Sequence, residues 1–196
     1  MTRLPLTRRL LTAAAALGAA LAIPRCLGGD DASDPAAGSP APDYEAALAG
    51  APAPLAALHE RADELLPGGV SAYEKRLREL RGYPVVVNKW ASWCGPCRIE
   101  FPFFQRQSAE LGKRVAFLGV DSNDSEDAAA DFLERSPLSY PSFYDPDSKI
   151  ARAMDAGVEF PATAFYDKRG ELVYVKRGGY ATEDELVADI RRYVLN

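Results

Sequence analysis

The stretch VVVNKWASWCGPCRIEFP, residues 85–102, constrains the fold more than any other part of the chain. Its first half is β-branched and nearly continuous, the composition of a strand covered on both faces. From Pro96 it carries a helical pattern with apolar Ile99, Phe103 and Phe104, and Pro102 as the predicted kink. A covered strand followed at once by a helix calls for a sheet with helices packed against it.

The rest of the chain extends that pattern. Val70, Tyr73, Leu77 and Leu80 recur at helical spacing until Gly82. Arg114 to Asp121 (RVAFLGVD) is predicted to be a second buried strand, and Ser125 to cap a helix through Arg135. SFYD is an extended piece, and Lys149 to Met154 a short helix. ATAFYD and ELVYVKRG form a hairpin about KRG. TEDELVADIRRYVL is a closing helix with a Thr182/Glu185 capping box. Residues 55–66 carry a further short helix, stopped by PGG. The order predicts an α/β domain over residues 55–196, three layers α/β/α about a central mixed sheet.

Residues 1–26 read as a signal peptide or N-terminal anchor. MTRLPLTRR is basic, and Leu10 to Ile23 is an apolar run of signal length, short for a membrane span. Ala20 and Ala22 give an A-x-A cleavage pattern, and TRRLL resembles a twin-arginine signal. The expected location is extracytoplasmic, either secreted or tethered by this segment. Cys26 stands where lipid attachment occurs, but Arg25 occupies the place of the small residue that attachment requires. Residues 27–54, rich in Ala, Pro, Gly, Ser and Asp, read as a linker. A net charge of −5 without an Arg/Lys stripe argues against a nucleic-acid partner.

Cys94 and Cys97 are the only cysteines after Cys26. A zinc site needs further Cys or His ligands, and His59 is the single histidine. A structural disulfide across two residues constrains little of the unfolded chain. Reversible redox chemistry fits better, with a silent disulfide as the alternative. Cys94 opens a helix, whose N-terminal N–H groups favour a thiolate. Cys97 follows one turn later, placed to resolve a mixed disulfide. Pro96 suits the first turn, Gly95 leaves room for a substrate backbone, and Trp93 offers an aromatic platform.

WCGPC after a buried strand, with Pro102 five residues beyond Cys97, resembles thioredoxin. The wider run NKWASWCGPCRIEFP is similar to the exported, TlpA-like branch of the thioredoxin superfamily, over about residues 70–195. The resemblance implies a thioredoxin fold and a thiol–disulfide oxidoreductase with protein thiol or disulfide substrates. It implies a membrane thiol electron donor, a monomer, and no metal, nucleotide or flavin beyond the Cys94–Cys97 couple. The expected direction is reduction of extracytoplasmic disulfides, such as those of apocytochrome c. An oxidant or isomerase is the alternative.

Asn88 stands where thioredoxin carries a buried Asp, and is a proton-transfer or hydrogen-bonding candidate. Glu100 shares a helix face with Cys97 and is the candidate to move its proton. Lys89, unexpected in a covered strand, is predicted to reach outward along a buried stem. Pro161 in GVEFPATAFYD falls where the family has a cis-proline, so the Phe160 backbone is expected to pair with an extended substrate. Glu159 and the bulk of Phe160 depart from the family pattern there.

Two rivals are weaker. A copper-binding thioredoxin-fold protein lacks a histidine after His59, and a peroxiredoxin lacks its P-x-x-x-T/S-x-x-C loop. DSNDSED, residues 121–127, reads as a turn and helix cap and not as a calcium loop. Phe101, Phe103 and Phe104 are expected in the core, and Tyr140, Phe143 and Tyr144 at an edge of the active-site surface.

Overall fold

The computed structural model describes residues 41–195. The predicted leader, Cys26 and the first half of the predicted linker lie outside those residues. The end of that linker is ordered. Asp43 caps a helix α1, Tyr44–Leu48, that buries Leu48. Tyr44 Oη donates to the Pro137 carbonyl at 3.1 Å. Two side chains with partners on the domain outweigh a composition that favours disorder. Helix α2, Ala53–His59, buries Leu55 and Leu58 and is shorter than expected. Leu65–Leu66 leaves the predicted helix to become strand β1, pairing in parallel with Ser142 and Phe143.

The remaining elements follow the predicted order. They are α3 (Gly69–Glu79), β2 (Val85–Trp90), α4 (Gly95–Leu111), β3 (Ala116–Ser122) and α5 (Glu126–Arg135). Then come β4 (Ser142–Asp145), α6 (Lys149–Ala153), β5 (Ala162–Tyr166), β6 (Leu172–Arg177) and α7 (Glu183–Ile190). A π-helical turn, Arg191–Leu195, closes the chain. The six strands form one mixed sheet in the order β1-β4-β3-β2-β5-β6. Strands β1 to β4 run parallel, and β5 and β6 antiparallel to their neighbours.

Central β2 is buried along its whole length, as its composition requires. Its alternating residues feed two cores. Val86 and Trp90 pack with Phe101, Phe104, Phe132 and Leu186. Val85 and Val87 pack with Tyr73, Leu118 and Ile150 on the other face. Phe101 and Phe104 are buried and Phe103 packs partly against them. Tyr140 and Phe143, expected at the active-site edge, are instead core residues at 1% and 2% exposure. Their rings stack on Phe117 and meet Tyr73 edge-on, contacts invisible to local periodicity.

The Thr182 hydroxyl caps α7 through Glu185 N. In return the Glu185 carboxylate accepts the Ala181 N–H at 3.1 Å, one residue before the position a capping box predicts.

Strand β3 touches its neighbours closely at Gly119. A Cβ there would collide with Ser142 Oγ and stand 2.9 Å from Trp90 Nε1, two atoms joined by a hydrogen bond of 3.1 Å. Gly119→Ala should therefore destabilise the domain by about 1–3 kcal/mol through overpacking. A lower urea midpoint at unchanged slope would carry that result; an unshifted midpoint would refute it.

Candidate active site

Strand β2 delivers the chain to the redox pair, and residues 91–94 turn it into α4. Cys94 is the N-cap of that helix, and its sulfur accepts the Cys97 N–H at 3.1 Å. The two cysteines form a disulfide. Pro96 lies in the first turn of α4, where no intrahelical bond is lost. Cys97 is fully enclosed, whereas Cys94 keeps 3% exposure beside an open Trp93. That asymmetry suits an outer nucleophile and an inner resolving thiol.

The turn is held from three sides. Asp124 Oδ2 accepts the Ser92 N–H at 2.5 Å. Arg98, within α4, donates twice to the Ser92 carbonyl at 2.7 and 2.9 Å. Trp93 Nε1 donates to the Asn123 carbonyl at 2.9 Å, which fixes an otherwise exposed indole. Sequence reading assigned none of these three supports. They come from side chains and carbonyls whose only local signal was turn composition.

Glu100 lies one helical turn beyond Cys97 and is completely buried. Its Oε1 accepts Asn88 Nδ2 at 2.7 Å and its Oε2 accepts Tyr180 N at 3.0 Å. Burial pushes its carboxyl up to about 7, although both hydrogen bonds and the charge of Lys176 oppose that rise. Glu100 is thus not a solvated helix glutamate. Asn88 acts on it as a donor from the neighbouring strand, and an amide has no proton to transfer at ordinary pH.

The Phe160–Pro161 bond is cis. The Phe160 ring packs on Trp93 with centroids 4.9 Å apart, and partly against the core cluster that contains Cys94 and Cys97. The structure thus brings Trp93 and Phe160 together and places both beside the cysteine pair. Gly95 has open space around its Cα. Lys89 departs from expectation. It is 1% exposed and points under the Phe160 loop, donating to the Gly157 and Glu159 carbonyls at 3.0 Å each. Two unpaired loop carbonyls hold the ammonium better than a route to solvent would.

Asp121, at the end of β3, is a second buried carboxyl that sequence reading passed over. Neither of its oxygens has a donor, and burial, Asp124 and Asp145 together push it up to about 8. Asp124, the residue that grips Ser92, is thus among the charges that favour the protonated form of Asp121.

These features define a thioredoxin-fold domain with a dithiol at the head of a helix. The AhpC/TSA family model matches residues 38–175, and the chain belongs to that family of the thioredoxin superfamily. It is 30% identical over 116 residues to the thiol-disulfide oxidoreductase ResA of Geobacillus kaustophilus, covering 59% of this chain and 66% of that one. It is 37% identical over 123 residues to the thiol:disulfide interchange protein DsbE homolog of Paracoccus denitrificans, covering 61% and 63%. The chain thus spans just under two thirds of these relatives' length. Among solved structures it resembles a DsbF homologue from Corynebacterium diphtheriae, with a TM-score of 0.54 and 28% identity over 59% of this chain and 75% of that one. The matched part of the chain is similar to the domains of relatives named thiol-disulfide oxidoreductases.

The buried proton on Asp121 has a thermodynamic signature. A carboxyl raised from 3.8 to about 8 on folding leaves stability intact below pH 4 and erodes it as pH rises toward 8. Asp121→Asn stays neutral beside Asp124 and removes the titration. Its melting temperature should match wild type near pH 4 and exceed it by at least about 3 °C at pH 8. A variant less stable than wild type at pH 8 would refute the assignment.

Proposed function

We propose that the chain is an exported thiol–disulfide oxidoreductase that reduces disulfides of extracytoplasmic proteins through Cys94 and Cys97. The observation that carries this reading is the buried Glu100 carboxyl. It sits one turn past the resolving thiol and is poised near neutrality.

The cycle starts from the dithiol. The Cys94 thiolate, favoured by the Cys97 N–H and the helix N-terminus, attacks one sulfur of the client disulfide. A mixed disulfide forms and the client's other sulfur leaves as a thiolate. Cys97, enclosed and protonated, must then lose its proton before it can attack Cys94 Sγ. Glu100 accepts that proton as the second S–S bond forms, and the first client sulfur departs. Two electrons pass to the client, and Cys94–Cys97 is left oxidised. A membrane thiol partner is the proposed source of the electrons that restore it. Metal, nucleotide and flavin have no step in this cycle.

Phe160 supports the client-binding part of the reading. Its backbone N–H and C=O have no hydrogen bond within the chain among the described residues, and it is next to the cis-proline. An extended client strand can pair there. Export rests on the leader pattern of residues 1–26. Among the described residues no helix is long and apolar enough to cross a membrane. The Gly-Pro dipeptide of the motif favours a reductase, since thioredoxin carries the same pair and has a potential of about −270 mV. A couple near about −120 mV would instead make the protein an oxidant.

Glu100→Gln should lower the rate of client reduction at pH 7 by roughly 100-fold, the usual contribution of a general acid–base group. It should also abolish the inflection near pH 7 in the rate profile of the resolving step. The mixed disulfide should accumulate in Glu100→Gln and in Cys97→Ser, but not in Cys94→Ser. An unchanged pH profile would remove Glu100 from proton transfer. Equilibration of the wild-type couple with a dithiol buffer decides direction.

A further inference from the structure

Lys89 is the most unusual residue of β2. An ammonium in the middle of a covered strand is costly unless its donors are met. Two are met, by the Gly157 and Glu159 carbonyls, and the ammonium also lies 3.9 Å from the centroid of the Phe160 ring. An ammonium has three donors. Burial pulls the Lys89 pKa down, while Glu159 and Asp145 act to keep it charged.

Beside it opens a cavity of about 270 Å³, lined among others by Asn123, Arg152, Gly157, Val158 and Phe160. Val158 is 87% exposed and forms an apolar lip. None of the lining residues is acidic, and two are cations, in a chain of net charge −5. The carboxylates nearby have other direct partners, although Glu159 and Asp145 act on Lys89 and Asp147 on Arg152 through their charge. Asp155 and Glu159 face Arg177 at 3.0 and 3.9 Å, and Asp147 pairs with Lys149 at 2.7 Å. Asp145 accepts from Ser122 Oγ, Ile150 N and Ala151 N. Arg152 forms no ion pair among the described residues, which leaves the cavity wall positive.

Position gives this charge a use. Phe160 belongs both to the cavity and to the ring pair with Trp93 beside the disulfide. Its unpaired backbone would hold an extended client strand, whose side chains alternate in direction. One side chain flanking the client cysteine then falls toward the cavity.

We propose that this cavity is a client-selecting subsite for an acidic side chain. Val158 and Phe160 cover its methylenes, the exposed Arg152 binds its carboxylate, and Lys89 behind the Phe160 ring adds positive charge. The proposal rests on the oxidoreductase reading above and adds the class of client.

The test uses the reduced protein and disulfide-linked peptides that carry Glu, Gln, Leu or Lys at each position flanking the cysteine. At one position, kcat/KM for Glu should exceed that for Gln roughly tenfold, the value of a charge-assisted contact, with Lys slowest. Arg152→Glu should invert the Glu-to-Lys ratio and Lys89→Met should flatten it. The ratio within one variant cancels any general loss of activity, and Arg152 is exposed, so its variant tests the idea even if Lys89→Met does not fold. The Glu preference of wild type should also weaken in high salt. Equal rates for Glu, Gln and Lys at every position, with a small uncharged disulfide still reduced, would overturn the subsite alone. Failure to reduce the small disulfide as well would overturn the oxidoreductase reading beneath it.

Discussion

A single buried carboxyl ties the working parts of this domain together. Glu100 belongs to the catalytic helix, takes one hydrogen bond from Asn88 on the central strand and another from the backbone before the last helix. An enclosed carboxylate without donors would cost several kcal/mol. Two donors lower that cost without removing it, so the group stays near its titration point at neutral pH. The same bonds tie α4 to β2 and to the backbone before α7, one turn beyond Cys97. Structural and chemical demands on Glu100 therefore coincide. The distance between helix and strand sets both the packing and the proton affinity.

The turn that carries Cys94 is closed by its own backbone bond from Cys94 N–H to the Ala91 carbonyl at 3.1 Å. Its position is imposed from the end of β3, by Asp124 on Ser92 and by the Asn123 carbonyl on Trp93, and from within α4 by Arg98. Asp124 is in turn faced by the protonated Asp121. The active-site loop is thus anchored beside a buried carboxyl whose protonated form the surroundings favour. Redox chemistry at the surface and a protonation equilibrium below it share one carboxylate.

These two layers differ in how far the sequence discloses them. Buried strands, helix caps at Ser125 and Thr182, and the position of Cys94 at a helix start follow from patterns spanning a few residues. So does the pairing of Cys97 with Glu100 along one helix face. Lys89 was misread because its carbonyl partners lie 68 residues or more away, and Asp121 was passed over because its burial depends on the packing around β3. A lysine in a strand carries no local sign of two loop carbonyls waiting for it. Tyr140 and Phe143 likewise look like surface aromatics until the sheet order brings Phe117 and Tyr73 against them. The helix at Tyr44–Leu48 escaped composition because one buried leucine and one tyrosine bond do not alter the average of an Ala/Pro-rich segment.

Strand parity then accounts for the division of labour. Along β2, Val86, Asn88 and Trp90 face the core of α4, whereas Val85, Val87 and Lys89 face the opposite core. Neighbouring residues therefore serve different faces of the sheet. Asn88 meets the buried Glu100 carboxyl on the helix that carries Cys97. Lys89 meets the loop against which a client would lie. A register slip of one residue would send the amide to the client loop and leave the ammonium beside Glu100, where it would pull that carboxyl down and deprive Cys97 of a base at neutral pH. The unbroken pairing of Val85 to Trp90 with Ala116 to Asp121 holds the register, and in doing so keeps Asn88 with Glu100 and Lys89 with the Phe160 loop on opposite sides of one strand.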